Sequence, residues 1–352
     1  MKFNNEIRIG KLSISSRSKT FIISEIGVNH NGSLNKALKL IDESKKCGAD
    51  AVKFQLFKAD NLILKNVKKA NYQIKNHKIN QSQFEMLKSL EISFESLDKI
   101  RQYCEKINII FIITPYDEKS LIDIVKLKSA AIKIASTDTN NYSFIKNVSK
   151  YNLPIIYSTG MTNMNDIIEG VKTIHKYNKN LVILQCTSEY PSIESQINLN
   201  VINTYKSKFN CLVGFSDHTP GIGASPYAIA CGAKVIEKHF TLDKKSSGPD
   251  HKSSLIPKEF KLLVNEIRRV EVLMGSYDKI ITKSEVNNQL RMQKYVVSNN
   301  NISAGSKISA NDLVFKRTGG VGVKASDYKQ IIGKKLIKNI SNNSPISFKD
   351  LK

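Results

Sequence analysis

A chain of 352 residues, 41% of them hydrophobic, holds enough apolar material for one barrel-sized core and a small appendage, and its 54 Lys and Arg against 31 Asp and Glu give a formal net charge of +23. The longest apolar stretch, Ile107 to Ile113 interrupted by Asn108, falls far short of the ~20 residues that cross a bilayer. The charge reads as a general Lys- and Asn-rich composition, with attraction of an anionic substrate as a by-product and nucleic acid disfavoured, because lysines are spread through every predicted helix and no block of five like charges or aromatic-interleaved basic arm occurs.

The opening MKFNNEIRIGKLSIS has neither the continuous apolar segment nor the cleavage pattern of an export signal. The five cysteines, Cys47, Cys104, Cys186, Cys211 and Cys231, form no CxxC pair and read as reduced core residues. Both features point to a cytoplasmic protein.

From residue 21 onward short apolar runs recur, and nearly every one ends in a polar residue that a core strand does not need. The first, FIISE, ends at Glu25. Asn31-Gly32-Ser33 then makes a turn and an N-cap, and Leu34, Ala37, Leu38 and Ile41 recur at helical spacing. The second run, AVKFQ, carries Lys53 and Gln55. The interval from Lys58 to Ser93 is longer than an ordinary βα loop; it contains Asn71, Tyr72 and Gln73 and an amphipathic segment around Phe84, Met86, Leu87 and Leu90, and is expected to shape a pocket.

The third to sixth runs end at Thr114, at Lys133 and Ser136, at Ser158 and at Ser188. The seventh, CLVGFSDH, carries Ser216 and His218, and the eighth, KVIEKH, carries Glu237 and His239. Helical intervals at 117–127, 141–148, 163–175, 199–205, 222–231 and 257–274 separate or follow them. Eight alternations predict an α/β protein built on a (β/α)8 TIM barrel over residues 1–280, with parallel strands and the chemistry at their C-terminal ends. A hydrophilic linker is expected at 281–290. Residues 291–352, with short β-like runs and paired glycines, form a small second domain.

Lys53 and Lys133 sit in strands otherwise too apolar to welcome charge, so each must meet an anion. The hydroxyls of Thr114, Ser136, Ser158, Ser188 and Ser216 lie at strand ends, where they can donate to phosphate oxygens. His218 and His239 follow neighbouring strands and can converge on a divalent metal, leaving open positions for water and a substrate oxygen. His30, in the NHNG turn, either shapes the site or serves the turn. His77 reads as a loop residue and His175 as a helix-surface residue, neither with a site role. Glu25 is the candidate general acid/base, with a salt bridge to Lys53 or Lys133 as the plainer role. Glu237 points to the same side of its strand as His239 and either holds that ring or joins the site.

Nine segments stand in order: SEIGVNHNG, AVKFQLFKAD, TPYDE, KIASTDTNN, STGM, LQCTSEYP, GFSDHT, IEKHFTLD and SGPDHKSSL. Together they resemble the sialic acid synthase family, which includes N-acetylneuraminate and legionaminate-type nonulosonate synthases. SAGSKIS, KRTGGVG and IIGKKL resemble that family's C-terminal antifreeze-like (SAF, β-clip-like) domain. The resemblance implies metal-dependent condensation of phosphoenolpyruvate with an N-acetylated hexose, N-acetylmannosamine or a diacetamido-trideoxyhexose, to a nine-carbon 2-keto acid. It implies a divalent cation at His218 and His239, manganese by preference, with magnesium or cobalt as alternatives. Lys53, Thr114, Lys133, Ser136, Ser158, Ser188 and Ser216 match the phosphoenolpyruvate pocket; some bacterial relatives carry Asn in place of Ser188. Gln55, Asp138, Tyr190 and Asp250 match the acceptor half, with Asn71 and Tyr72 as additions from the long loop; Asp138 replaces a glutamate of some relatives. Arg317 matches an arginine that reaches the acceptor from a partner in a domain-swapped homodimer. Two rival readings remain at this point: another phosphoenolpyruvate-aldose condensing synthase with a shorter phosphosugar, and a non-catalytic polyanion-binding protein suggested by charge alone.

Overall fold

The computed structural model describes residues 1–76 and 81–352 and divides the chain into two units, Met1–Gly275 and Ser276–Lys352. His77 lies outside the described residues.

The first unit opens with a feature the sequence reading lacked, an antiparallel hairpin of β1 (Glu6–Ile9) and β2 (Leu12–Ser15). Eight parallel strands follow: β3 (Phe21–Gly27), β4 (Ala51–Leu56), β5 (Ile110–Pro115), β6 (Ile132–Ile134), β7 (Ile155–Ser158), β8 (Leu181–Cys186), β9 (Leu212–Asp217) and β10 (Val235–His239). They close in chain order, with β10 pairing back onto β3. The predicted (β/α)8 barrel is therefore the observed fold.

Two apolar clusters explain why this sequence closes. One fills the space between strands and surrounding helices, with Ile22, Val52, Ile113, Ile134, Tyr157, Ile183 and Phe215 meeting Leu40, Leu97, Leu121, Val171 and Phe260. The other lies on the alternate strand positions, where Ile23, Ala51, Ile112, Ile156, Val182, Leu184 and Val235 pack with Ile7, Ile9 and Ile14 of the hairpin. Because Ile7 and Ile9 are buried while Glu6 and Arg8 are exposed, the hairpin lays one face against the barrel. The strand beginnings are thus sealed with hydrocarbon, and polar chemistry is confined to the strand ends.

Local signals set the crossovers. Ser33 caps helix Leu34–Cys47 by accepting from the Lys36 amide, and Gly48 closes it at φ 92°, a left-handed position that favours glycine. The long interval holds helices at Ala59–Leu62, Asn71–Asn76 and Gln83–Leu90. Met86 and Leu90 from the last of these pack against Val28 and Phe57, anchoring the insertion beside the strand ends.

The second unit has its own core, in which Val296, Ile308, Leu313, Val323, Ile331 and Ile346 pack around the antiparallel pair β11 (Lys294–Ser298) and β12 (Leu313–Arg317). The stretch expected to be a linker is largely a helix, Lys283–Met292. Thr282 accepts from the Glu285 amide and Glu285 reaches back to the Thr282 amide, a reciprocal cap that starts a helix with no buried residue. The helix needs no apolar face, and its composition is accordingly hydrophilic. No helix among the described residues is long and apolar enough to cross a membrane.

Candidate active site

Parallel pairing places Glu25 of β3 level with both Lys53 of β4 and His239 of β10. Glu237, two residues earlier on β10, lies level with Ser216 of β9. This register gathers four charged side chains from β3, β4, β6 and β10. Lys53 Nζ stands 2.7 Å from Glu25 Oε2 and 3.7 Å from Glu237 Oε2, and it donates to Thr114 Oγ1 at 3.0 Å. Lys133 Nζ stands 3.7 Å from Glu237 Oε1 and donates to Ser158 Oγ at 2.6 Å. Ser216 donates to Glu237 Oε1 at 2.9 Å and Gln55 to Glu25 Oε1 at 2.9 Å. Two ammonium groups and two carboxylates, all buried, balance each other at the barrel mouth.

The two carboxylates do not share that balance equally. Burial would raise Glu237, but Lys133 and Lys53 together hold it well below the usual carboxylate range. Burial, reinforced by the Glu237 charge and opposed by Lys53 and Gln55, pushes Glu25 up. The pair is thus split, with Glu25 shifted toward its protonated form and Glu237 toward its anion between the lysines. Burial also lowers Lys133, with partial compensation from Glu237, whereas Glu237 and Glu25 outweigh burial at Lys53 and raise it.

Above this network the rings of His218 and His239 lie 5.4 Å apart, and Tyr190 stacks 4.1 Å from His218 with Tyr72 4.8 Å behind it. His218 Nδ1 faces the Thr187 carbonyl at 2.9 Å; a carbonyl only accepts, so Nδ1 carries a proton and Nε2 is the nitrogen that bears the lone pair whenever the ring is neutral. His239 Nδ1 is buried without a hydrogen-bond partner, and Asp250 Oδ2 lies 3.9 Å from it. Burial, His218 and Lys53 hold His239 well below the usual imidazole range, so it is a neutral donor. His218 is raised, because Cys186, with Sγ 3.9 Å from Nδ1, outweighs burial. Burial by itself would raise the Cys186 thiol, but His218 brings it down to about 7. Among the described residues no trio of His, Cys, Asp and Glu forms a closed metal cage. Two imidazoles with an unsatisfied buried nitrogen fit an open divalent site whose remaining positions are filled by water and substrate.

The hydroxyls follow the strand ends. Thr114, Ser158 and Ser216 are bound into the charge network, whereas Ser136 and Ser188 are half-buried and flank Cys186 at 3.6 and 3.9 Å. Asp250 is buried and raised to about 7 by burial and the Glu25 charge. Asp138 is half-buried in the turn Ser136–Asp138 and accepts from Asn141. Asn71 is exposed. Arg317 stands exposed on β12 of the second unit, level with Lys294. His30 serves its turn: it is fully buried, and Nδ1 accepts from the Gly32 amide at 3.0 Å. His175 lies on helix Met164–Tyr177 with its ring edge-on to Phe3, so it fastens the N-terminal segment. Cys186 was read only as a core thiol, and Tyr116, half-buried and pushed well up by burial and by the charges of Glu25 and Asp250, was not singled out. The LQCTS segment, with a thiol two residues before Ser188, carried the only signal for the former.

Strand alternation turns Asp217 and Lys238, the neighbours of the two histidines, away from the site. They meet outside the sheet: Lys238 Nζ lies 3.1 Å from Asp217 Oδ2 and donates to the Thr219 carbonyl at 2.6 Å. Asp217 also accepts from the amides and hydroxyls of Thr219 and Ser225. Lys238→Met should cost about 3–5 kcal/mol of stability, because it strands a buried carboxylate. Denaturant unfolding reads this directly, and a loss below 1 kcal/mol would show that Asp217 is satisfied by its amide and hydroxyl donors alone.

The family model for NeuB matches residues 40–279, and that for the SAF domain matches residues 293–352. The chain is 41% identical over 331 residues to an N,N'-diacetyllegionaminic acid synthase of Campylobacter jejuni, covering 93% of this chain and 99% of that protein. It is 32% identical to the human N-acetylneuraminate-9-phosphate synthase, covering 95% and 93%. Among solved structures, the N-acetylneuraminic acid synthetase of Leptospira borgpetersenii superposes with a TM-score of 0.73 at 31% identity, covering 83% of this chain and 99% of that one.

Proposed function

The chain belongs to the NeuB family of sialic acid synthases, and on that premise we propose that it condenses phosphoenolpyruvate with an N-acetylated hexose, N-acetylmannosamine or a diacetamido-trideoxyhexose, and water. The products are a nine-carbon 2-keto acid and phosphate. The observation that carries this reading is the meeting of two buried lysines and two facing imidazoles at one barrel mouth.

Lys53 and Lys133, with the hydroxyls of Thr114, Ser136, Ser158, Ser188 and Ser216, bind the carboxylate and phosphate of phosphoenolpyruvate. The enol methylene carbon forms a bond to the acceptor's aldehyde carbon, and the aldehyde oxygen takes up a proton. Water then adds to the resulting cationic carbon, and the C–O bond to phosphate breaks to leave the ketone. Glu25, raised by burial and positioned by Gln55 and Lys53, takes the proton of the attacking water. Glu237 keeps both lysines charged and oriented. His218 and His239 would hold a divalent cation, manganese by preference, which supplies polarisation of the acceptor's aldehyde.

Gln55, Asp138, Tyr190 and Asp250 are assigned to the acceptor, with Tyr190 held in place between His218 and Tyr72. Arg317 is assigned to the same acceptor through a domain-swapped homodimer working in the cytoplasm. Arg317→Ala should therefore raise the acceptor KM about tenfold and leave the phosphoenolpyruvate KM in place; unchanged acceptor kinetics would remove that assignment.

The reading is tested by phosphate release from phosphoenolpyruvate with manganese and a panel of acceptors. Release that requires an N-acetylated hexose supports it; release only with a shorter phosphosugar would move the chain to a different condensation, and no release with any acceptor would refute it.

A further inference from the structure

We propose that Lys238 is a positioning residue of the divalent site, fastening the turn that carries His218 to the strand that carries His239; this rests on the cation reading given above.

The two imidazoles are not held alike. His239 ends β10 inside the ladder, level with Glu25 of β3, and its carbonyl accepts from the Leu255 amide at 2.8 Å. His218 lies just past the end of β9, whose ladder with β10 stops at the pair Asp217 and Lys238. Its place therefore depends on the turn that follows. Asp217 Oδ1 accepts from the Thr219 amide at 2.8 Å and from the Thr219 hydroxyl at 2.6 Å, which closes a side-chain turn around His218.

Lys238 grips that turn at both ends. Its Nζ stands 3.1 Å from Asp217 Oδ2, where the turn begins, and donates to the Thr219 carbonyl at 2.6 Å, where it closes. Because Lys238 directly precedes His239, one ammonium ties the chain on both sides of His218 to the neighbour of the other imidazole. The chain beyond folds back over this contact. The Ala224 amide donates to Thr219 Oγ1 at 3.0 Å, and Ser225 donates to Asp217 Oδ2 through its amide at 3.1 Å and its hydroxyl at 2.6 Å. Gly223 makes the approach possible: it adopts φ 54°, and a Cβ there would overlap Thr219 Oγ1.

Asp217, Thr219 and Lys238 are all buried. Hydrocarbon could fill the same space without desolvating two charges, so the pair is weak support for stability alone; what it adds is direction, since its bonds close on one arrangement of the turn. Ligand spacing is what that arrangement sets.

The experiment compares wild type, Lys238→Met, Thr219→Val and Leu97→Ala, the last a destabilised control in the core between strands and helices. Free manganese counted by electron paramagnetic resonance gives cation affinity without turnover, alongside thermal melts and calorimetry with phosphoenolpyruvate in metal-free buffer. Lys238→Met should weaken manganese binding about 10–100-fold, the range for partners that orient metal ligands. Thr219→Val, which keeps the side chain's shape and removes its hydroxyl from the turn, should weaken it about three- to tenfold. Both should bind phosphoenolpyruvate within about twofold of wild type, because Lys53 and Lys133 lie on other strands. Leu97→Ala should lower the melting temperature and leave manganese affinity within about twofold of wild type.

Manganese affinity of Lys238→Met within about threefold of wild type, equal weakening by Leu97→Ala, or a parallel loss of phosphoenolpyruvate binding would each overturn the proposal. If Lys238→Met does not fold, Thr219→Val decides, and cation affinity unchanged in that variant overturns it. A wild-type protein that binds no manganese would instead sink the cation reading on which the proposal rests.

Discussion

Lys53→Met should lower kcat/KM for phosphoenolpyruvate by about 10²–10³-fold, the loss expected when a preorganised charged donor is removed from a dry site. Lys53 is 3% exposed, touches both Glu25 and Glu237, and donates to Thr114. Without its ammonium the mouth holds two carboxylates against Lys133 alone, so an arriving trianion meets net repulsion in place of a clamp. Glu25 also loses the cation that opposes its burial and is pushed up further; any proton it takes up relieves part of that repulsion only by removing the base for the water step. Titration calorimetry with phosphoenolpyruvate separates these effects, since only the first appears without turnover. Binding retained within threefold, with a normal unfolding transition, would contradict the clamp.

His218→Ala should reduce turnover by roughly a thousandfold, in keeping with the several kcal/mol that Lewis-acid polarisation of a carbonyl supplies. The same variant should lose its divalent cation on gel filtration, which elemental analysis reads independently of activity. The prediction rests on the tautomer favoured by Thr187, which leaves the lone pair on Nε2 of the neutral ring, and on the unsatisfied nitrogen of the neighbouring His239 ring. His239→Ala should behave alike, since on the proposed reading the two imidazoles, 5.4 Å apart, hold the cation together. Full activity of wild type in metal-stripped buffer would contradict the ligand role of both.

Much of this arrangement was legible in the sequence for a physical reason. Parallel strands covered on both faces read as near-continuous apolar runs, so Lys53, Lys133, Glu25 and His239 stood out as charges or ligands in hydrocarbon. The hairpin Glu6–Ser15 was missed because four-residue strands with alternating burial give little periodic signal. Helix Lys283–Met292 was missed because it buries no residue, although its Thr282 and Glu285 cap was there to be read. Glu237 was identified as facing the site, but its place between two lysines depends on three strands at once. Cys186 belongs to the same class: its place beside Ser136 and His218 comes from the approach of neighbouring strand ends, which no local spacing encodes.

The whole account turns on one transformation. Incubation of the purified protein with manganese, an N-acetylated hexose and phosphoenolpyruvate labelled with ¹⁸O in its C–O–P bridge, followed by mass analysis of both products, tests it most directly. The account predicts a nine-carbon keto acid formed one for one with phosphate that carries the label, as cleavage of the C–O bond requires. Unlabelled phosphate, or phosphate with no new carbon–carbon product, would contradict it.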